Sequence, residues 1–375
     1  MKELSFCPDK RLSEAWLASA ELQYDTLIPL LHQMHGAEGV YHAVIEQKDP
    51  LQMLLSPDQR KKLIQQASLD RLEKMNAQME EHRIQTLSIL DEEYPHCLRQ
   101  IQDPPGILFR QGNPDAMNRK HIVAMVGSRV ASYAGLKAAR KIACEISQNG
   151  VTVISGLAYG IDTESHLGCI QGGSPTIAVL GCGLEQTYPD RNAKLKEEII
   201  QKGGLILSEY APGVRPLGFH FPYRNRIISG LSSAVILMEA KIQSGSMTTV
   251  DRALKQGKEV FAYPGDPVSA FYSGNRALIR DGAHYFTSAQ EFLSDMNWLD
   301  NPQHVGHNSD CSANRTPLSP AESIVYKSLE KGILSFEQIL SVTGMTSAEL
   351  MNVLTMMQIH RLIDALPGKK YQLRQ

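Results

Sequence analysis

The spacing of hydrophobic positions changes character along the chain. Between residues 10 and 82 apolar side chains recur three and four apart in RLSEAWLASAELQ, YDTLIPLLHQM and VYHAVIEQ, with HGAEG and KDP interrupting them. That period predicts short helices. From Asp70 to Arg83 the chain is polar and charged, which predicts a solvated helix leading to a boundary. After Pro95 the pattern turns to unbroken apolar runs: HIVAMV (121–126), VTVIS (151–155), TIAVL (176–180), LILS (205–208), AVILMEA (234–240) and EVFAY (259–263). Segments of helical period, such as GLKAARKIACEIS and DRNAKLKEEIIQK, lie between them.

Continuous Val/Ile/Leu runs bounded by glycines and separated by helices predict a parallel sheet covered on both faces. The expected fold class is α/β: an extended Rossmann-like, doubly wound, mostly parallel sheet. The expected division is a helical domain over 1–82, the sheet domain over 83–300, a polar Asn/Ser/Pro/His-rich linker over 301–318, and a small domain over 319–375. Helical segments near 320–330, 335–343 and 346–360, followed by PGKKYQLRQ, predict a winged-helix unit. In doubly wound sheets the ligand lies beyond the carboxyl ends of the strands, so those loops are where chemistry is sought.

Composition narrows the options. A net charge of −2 excludes a broadly basic protein, though not a local cationic patch. Six cysteines (Cys7, Cys97, Cys144, Cys169, Cys182 and Cys311) are scattered without a C-x-x-C pair, which predicts reduced thiols and a cytoplasmic setting. MKELSFCPDKRLSEAW has no apolar signal core, and no run approaches the ~18 apolar residues of a membrane span. Neither secretion nor membrane contact is expected.

The strand-end loops carry cations, hydroxyls and aromatics. The first is Gly127-Ser128-Arg129, with Ser132 and Gly135 close behind. Backbone N–H groups at a helix N-terminus attract anions. Arg129 stands where a dinucleotide loop has its second glycine; its planar cationic fork suits phosphate and fills the space a pyrophosphate would approach. A tight strand–helix turn with a surface arginine is the plainer reading of this loop. SGLAYGID (155–162) adds Asp162, and GCGLEQTYPDRN (181–192) adds Tyr188 and Arg191. In GFHFPYRNRIISGLSSA (218–234), Phe219, Phe221 and Tyr223 interleave with His220, Arg224, Asn225 and Arg226. Aromatic faces stack on bases while arginines neutralise phosphates. KIQSGSMTT (241–249) offers Ser244, Gly245 and Ser246 at the opening of a helix, and YPGDPVSAFYSGN (263–275) ends at Asn275. Each signal has a structural alternative: aromatics can cap the sheet, and Arg226 can be an ion-pair partner. Together they favour an extended polyanion site.

Catalytic signatures are not found. The chain has no G-x-x-x-x-G-K-[ST] and no G-x-S-x-G. His304, His307 and Cys311 have loosely metal-like spacing but sit in the polar linker without a second cysteine pair, so no metal is expected. Glu209 and Glu239 follow strands; a helix-cap or salt-bridge role is favoured over acid–base work. No cofactor is expected.

Many of these stretches, in this order, resemble the bacterial DNA-processing protein A (DprA/Smf) family. The resemblance rests on DEEYPHCLRQIQDPPGILFRQG (91–112), GSR with S-x-x-G, SGLAYGID, VLGCGL with YP, SEYAPG, FPYRNRIISGLS, SGSMTT, GKEVFAYPG and SGNRALIRDGA, and runs from about 91 to 284. It implies a protein that is not an enzyme. Such a protein binds single-stranded DNA, protects incoming strands in natural transformation, loads RecA recombinase onto them and dimerises through its Rossmann-like domain. An apolar patch within 259–286 is the expected dimer face. The resemblance also implies a SAM-like or helix-hairpin-helix-like N-terminal domain. It places Gly127, Ser128 and Arg129 on DNA phosphates, Phe221 or a neighbouring aromatic on a base, and Arg224, Asn225, Arg226 and the Ser244-Gly245-Ser246 loop beside the groove. The rival class is a Rossmann-like phosphoribohydrolase, whose P-G-G-x-G-T-x-x-E loop is here S-G-S-M-T-T-V-D, ending at Asp251. A scaffold with a vestigial pocket is the third reading.

Overall fold

Nine strands form one sheet: β1 (Gln85–Ser88), β2 (Ile107–Gly112), β3 (Ile122–Val126), β4 (Thr152–Ser155), β5 (Thr176–Val179), β6 (Leu205–Ser208), β7 (Ala234–Leu237), β8 (Glu259–Ala262) and β9 (His284–Tyr285). Their spatial order is β1-β2-β6-β5-β4-β3-β7-β8-β9. The structure, a computed structural model, describes residues 7–46, 54–299, 320–329, 332–359, 362–366 and 370–373. Strands β3 to β9 pair in parallel, and β2 joins β6 antiparallel, with β1 antiparallel beyond it. All six runs expected from sequence are parallel strands. The chain winds outward from β3 in one direction through β4, β5 and β6, then restarts beside β3 with β7 and runs the other way. The switch point therefore lies between β3 and β7, where an open α/β sheet leaves its crevice.

Alternation along the strands feeds two cores. Ile122, Ala124 and Val126 point to one face, where Ile227, Ile228 and Leu231 of α10 (His220–Leu231) and Val250 and Ala253 of α11 (Ser246–Lys255) pack. Val123 and Met125 point to the other, against Ala139, Ile142 and Ile146 of α7 (Tyr133–Gln148) and Phe292 of a helix at Ala289–Asp295. The short helix α6 (His96–Arg99) packs against α10, α8 (Ile161–Gly172) lies beside α7, and α9 (Ala193–Gln201) packs against β6. Burial on both faces explains why these strands are apolar throughout.

The N-terminal stretch is helical, as expected: α1 (Lys10–Ser19), α2 (Tyr24–Gln33), α3 (Ala37–Ile45), α4 (Pro57–Gln66) and α5 (Leu69–Glu81). Trp16 is fully buried, and its indole N–H donates to the Leu63 carbonyl at 3.1 Å. These helices share a core with Phe109, Leu180 and Ile206 of the sheet region, and Met1–Asn301 forms one compact unit. The stretch expected to be a solvated helix is α5, a helix that also buries Leu72, Met75 and Met79. Three apolar residues at helical spacing suffice for a buried stripe in a polar sequence. Glu14 is also buried in this region. Its carboxyl hydrogen-bonds Thr86, and burial pushes it up to about 7.

Pro302–Gln375 forms a second unit. It contains helices at Pro320–Leu329, Phe336–Thr343 and Ser347–Ile359 and a three-stranded antiparallel sheet of Leu334–Ser335, Lys370–Leu373 and Ile363–Leu366, in that order. The expected linker, with His304, His307 and Cys311, lies outside the described residues.

Candidate functional site

A cleft of about 500 Å³ opens at the switch point, at the carboxyl ends of β3 and β7. Its lining brings together nine sequence candidates: Gly127, Ser128, Arg129, Phe221, Arg224, Asn225, Ser244, Gly245 and Ser246. Three loops and two helix starts meet there only because their backbones approach closely. A Cβ at Gly127 would stand 2.6 Å from Ile161. Gly160 has φ 75°, and a Cβ there would lie 2.3 Å from the Ser128 carbonyl oxygen. Any other residue would push the two loops apart.

The cations of the cleft differ in how far they are engaged. Arg129 is exposed, and none of its donors has a hydrogen-bonding partner among the described residues; its guanidinium carbon lies 5.4 Å from the centre of the Phe221 ring. Tyr188 approaches the same ring at 5.2 Å, so Tyr188, Phe221 and Arg129 form a half-exposed stacking surface. Arg224 is buried and donates to the Gly156 carbonyl at 3.1 Å and to Asn225 Oδ1 at 3.2 Å. Burial pushes its guanidinium down to about 10; Asp162 pulls it back up and Arg129 adds repulsion. Burial raises the Asp162 carboxyl, opposed by Arg224 and by the backbone N–H groups of Ala158 and Gly156. Asn225 Nδ2 donates to Thr248 Oγ1 at 2.9 Å, which ties α10 to the first turn of α11. Ser244 and Ser246 hydroxyls meet at 2.8 Å at the start of α11, where Ser244 also accepts from the Ser246 N–H through its hydroxyl at 3.4 Å and from the Met247 N–H through its carbonyl at 3.0 Å.

The helix after β3 does not present an open anion site. Ser132 caps α7 by accepting from the Gly135 N–H at 3.0 Å. The Glu239 carboxylate, fully buried, then accepts from the Ser132 N–H at 2.7 Å and the Ser132 hydroxyl at 2.5 Å. The protein's own anion fills the position where an N-terminal dipole would draw a phosphate. This corrects the expectation of an anion cradle behind Gly127-Ser128-Arg129: the positive helix end facing the cleft is that of α11. Glu239 takes the capping role favoured for it, and Glu209 the salt-bridge role.

Five candidates lie elsewhere. Phe219, His220 and Arg226 line a separate cavity on the other side of α10. The stretch 218–234, read as a loop, is mostly helix. Arg224 faces the cleft; Arg226, two residues on, projects from a different side. Arg226 is fully buried. It donates to both oxygens of Glu209 (2.5 and 2.8 Å) and to the Asp103 carbonyl at 2.7 Å, and stacks at 3.8 Å on Tyr223. Asn275, also fully buried, donates to the carbonyls of Leu237, Met238 and Tyr263 and accepts from the Ala240 N–H, fastening the β7 and β8 ends. Ser132 is the α7 cap. The cleft edge also holds Tyr159, exposed beside Tyr188, Pro189 and Arg129, which sequence reading passed over. Its signal was an aromatic inside the glycine loop SGLAYGID. Asp251 points away from this chemistry, paired with Lys255 at 2.8 Å. Among the described residues no group of three or more His, Cys, Asp or Glu side chains is placed to hold a metal. No helix among them is long and apolar enough to cross a membrane.

A family model described as DNA recombination-mediator protein A matches residues 85–297. DNA processing protein DprA of Streptococcus pneumoniae is 45% identical over 210 residues, 56% of this chain and 73% of that protein. Its crystal structure superposes with a TM-score of 0.64, covering 75% of this chain and 95% of that one at 36% identity. DNA processing protein A from Helicobacter pylori, described for its single-stranded DNA binding mode, superposes with a TM-score of 0.52 at 29% identity. That match covers 57% of this chain and 96% of that one.

Proposed function

The chain belongs to the DNA recombination-mediator protein A family, and on that premise we propose that the switch-point cleft holds the backbone of single-stranded DNA. The observation that carries this is Arg129: an exposed guanidinium with free donors, stacked beside Phe221 and Tyr188, over a cleft containing Arg224 and the Ser244-Gly245-Ser246 start of α11. A cationic track with aromatic faces and few base-edge readers is what sequence-tolerant strand binding needs. The solved relative from Helicobacter pylori, described by its single-stranded DNA binding mode, supports single-stranded DNA as the ligand.

The protein acts by binding rather than turnover. It protects incoming strands in natural transformation and loads RecA recombinase onto them, working in the cytoplasm as a dimer through the sheet domain. Val268, in the loop after β8, and Tyr285, on β9, are exposed within 259–286 and available to a dimer face. The tail acts as a winged-helix unit, a reading supported by its order of three helices and a three-stranded sheet. The test is a titration of matched single- and double-stranded oligonucleotides over a range of salt. Preference for the single strand with steep salt dependence is expected; equal weak binding to both overturns the proposal.

A further inference from the structure

On the far side of α10 lies a second cavity of about 370 Å³, within the size range of small-molecule sites. Ala18, Glu21 and Tyr24 of the helical segment form one wall, and Tyr210, Phe219 and Tyr223 the other. His220 lies between them, 1% exposed and stacked on Tyr210 with ring centres 4.0 Å apart. Its Nδ1 lies 3.1 Å from the Gly181 carbonyl, an acceptor, which assigns the Nδ1–H tautomer to the neutral ring. In that tautomer the buried Nε2 is an acceptor, and it has no hydrogen-bond partner. Glu21 Oε1 lies 3.9 Å from it, too far for a hydrogen bond; the other Glu21 oxygen meets Lys62 at 3.4 Å.

A buried acceptor without a donor costs free energy unless something supplies one. The cavity thus offers flat aromatic walls and two adjacent acceptors. Its complement is a planar heteroaromatic ring bearing an N–H₂ group. We propose that this cavity receives a nucleobase with an exocyclic amino group, splayed from the strand held in the cleft. The proposal rests on the cleft reading above for where the base comes from. The connection is α10 itself. Phe221, Arg224 and Asn225 border the cleft, His220, Tyr223 and Arg226 border the cavity, and Phe219, 69% exposed, stands at the lip between them. A strand crossing this single helix can keep its phosphates on one side and place a base on the other. Aromatic walls accept any base; the acceptor pair favours adenine, cytosine or guanine, whose amino group has two N–H donors, over thymine, whose single N3–H can serve only one acceptor.

The test compares oligothymidylate with the same oligomer carrying adenines, and with one carrying unsubstituted purine at those positions, which stacks alike but lacks the amino group. Fluorescence anisotropy on the full chain is expected to show about tenfold tighter binding with adenine than with purine, the scale of one hydrogen bond to a charged acceptor. Glu21→Ala is expected to erase that difference and leave oligothymidylate affinity unchanged; the adenine–purine comparison itself needs no variant. A parallel arm titrates free adenosine and purine riboside, followed by tyrosine fluorescence. Adenosine binding that depends on Glu21, without any preference among oligomers, overturns the strand as the source and leaves a free nucleoside as occupant. Equal affinity for all three oligomers, with no adenosine binding, overturns the cavity assignment. Absence of binding to any oligomer instead refutes the cleft reading, while the nucleoside arm still decides the cavity.

Discussion

Replacing Arg129 by alanine removes one exposed guanidinium and little else. Its donors make no internal hydrogen bond among the described residues, and its guanidinium packs on the face of Phe221. Folding stability should therefore stay within about 0.5 kcal/mol, the ordinary range for surface changes. Binding should not. One charge-assisted hydrogen bond contributes about 1.5–3 kcal/mol, so affinity for a single-stranded oligonucleotide should fall about tenfold to a hundredfold. The slope of log affinity against log salt should also shrink in magnitude by about 0.7, the value for one released counterion contact on a single strand. Arg129→Lys separates charge from geometry: it keeps the slope but loses the planar fork and the stack, so affinity should drop only a few-fold. The assay is anisotropy of a labelled oligomer at four or more salt concentrations, with a thermal melt of each variant. An Arg129→Ala protein that melts normally and retains both affinity and slope would refute the argument.

The two neighbouring arginines should behave differently. Arg226→Ala strips both oxygens of Glu209 of their partner in a buried setting, so it should cost about 3–5 kcal/mol, read as a lower denaturant midpoint. Phe221→Ala should weaken strand binding by about 1–3 kcal/mol without changing the salt slope, because it removes stacking and no charge. Burial raises Glu14 from 4.5 to about 7, so its stabilising contribution is complete below pH 4.5 and is lost as pH rises to about 7. Glu14→Gln should therefore stabilise the protein at pH 8 by up to about 3 kcal/mol and leave it unchanged at pH 4, as chemical denaturation at the two pH values will show.

The parallel sheet was legible because a strand buried on both faces must be apolar at every position; β3, IVAMV, is buried throughout. The edges carry no such demand. Strand β9 is two exposed residues, and β2 ends in the polar Arg110-Gln111-Gly112, so neither announced itself. In α5 the buried Leu72, Met75 and Met79 sit among charges that dominate its composition, although their spacing was there to read. The cleft was legible where chemistry was local, as in the arginine at a glycine's place in Gly127-Ser128-Arg129. It was not legible where direction mattered. Arg224 and Arg226 are identical in type and two residues apart, and only the phase of α10 sends one to the cleft and the other to Glu209. The helical recurrence of the buried Arg224, Ile227, Ile228 and Leu231 contained that phase.

Glu239 has a consequence for selectivity between monomer and polymer. In dinucleotide-binding sheets the helix after the first strand is the strongest single phosphate site, and a free nucleotide competes for it. Here that site is permanently occupied by a covalently attached competitor. What remains in the cleft are modest contacts spread over Arg129, Arg224 and the start of α11. A lone nucleotide can engage few of them at once, whereas linked phosphates engage them in series at high effective concentration. On the function proposed above, the buried carboxylate lets a strand be held in the presence of a cell's nucleotide pool, because it closes the helix end where a small anion would compete most strongly.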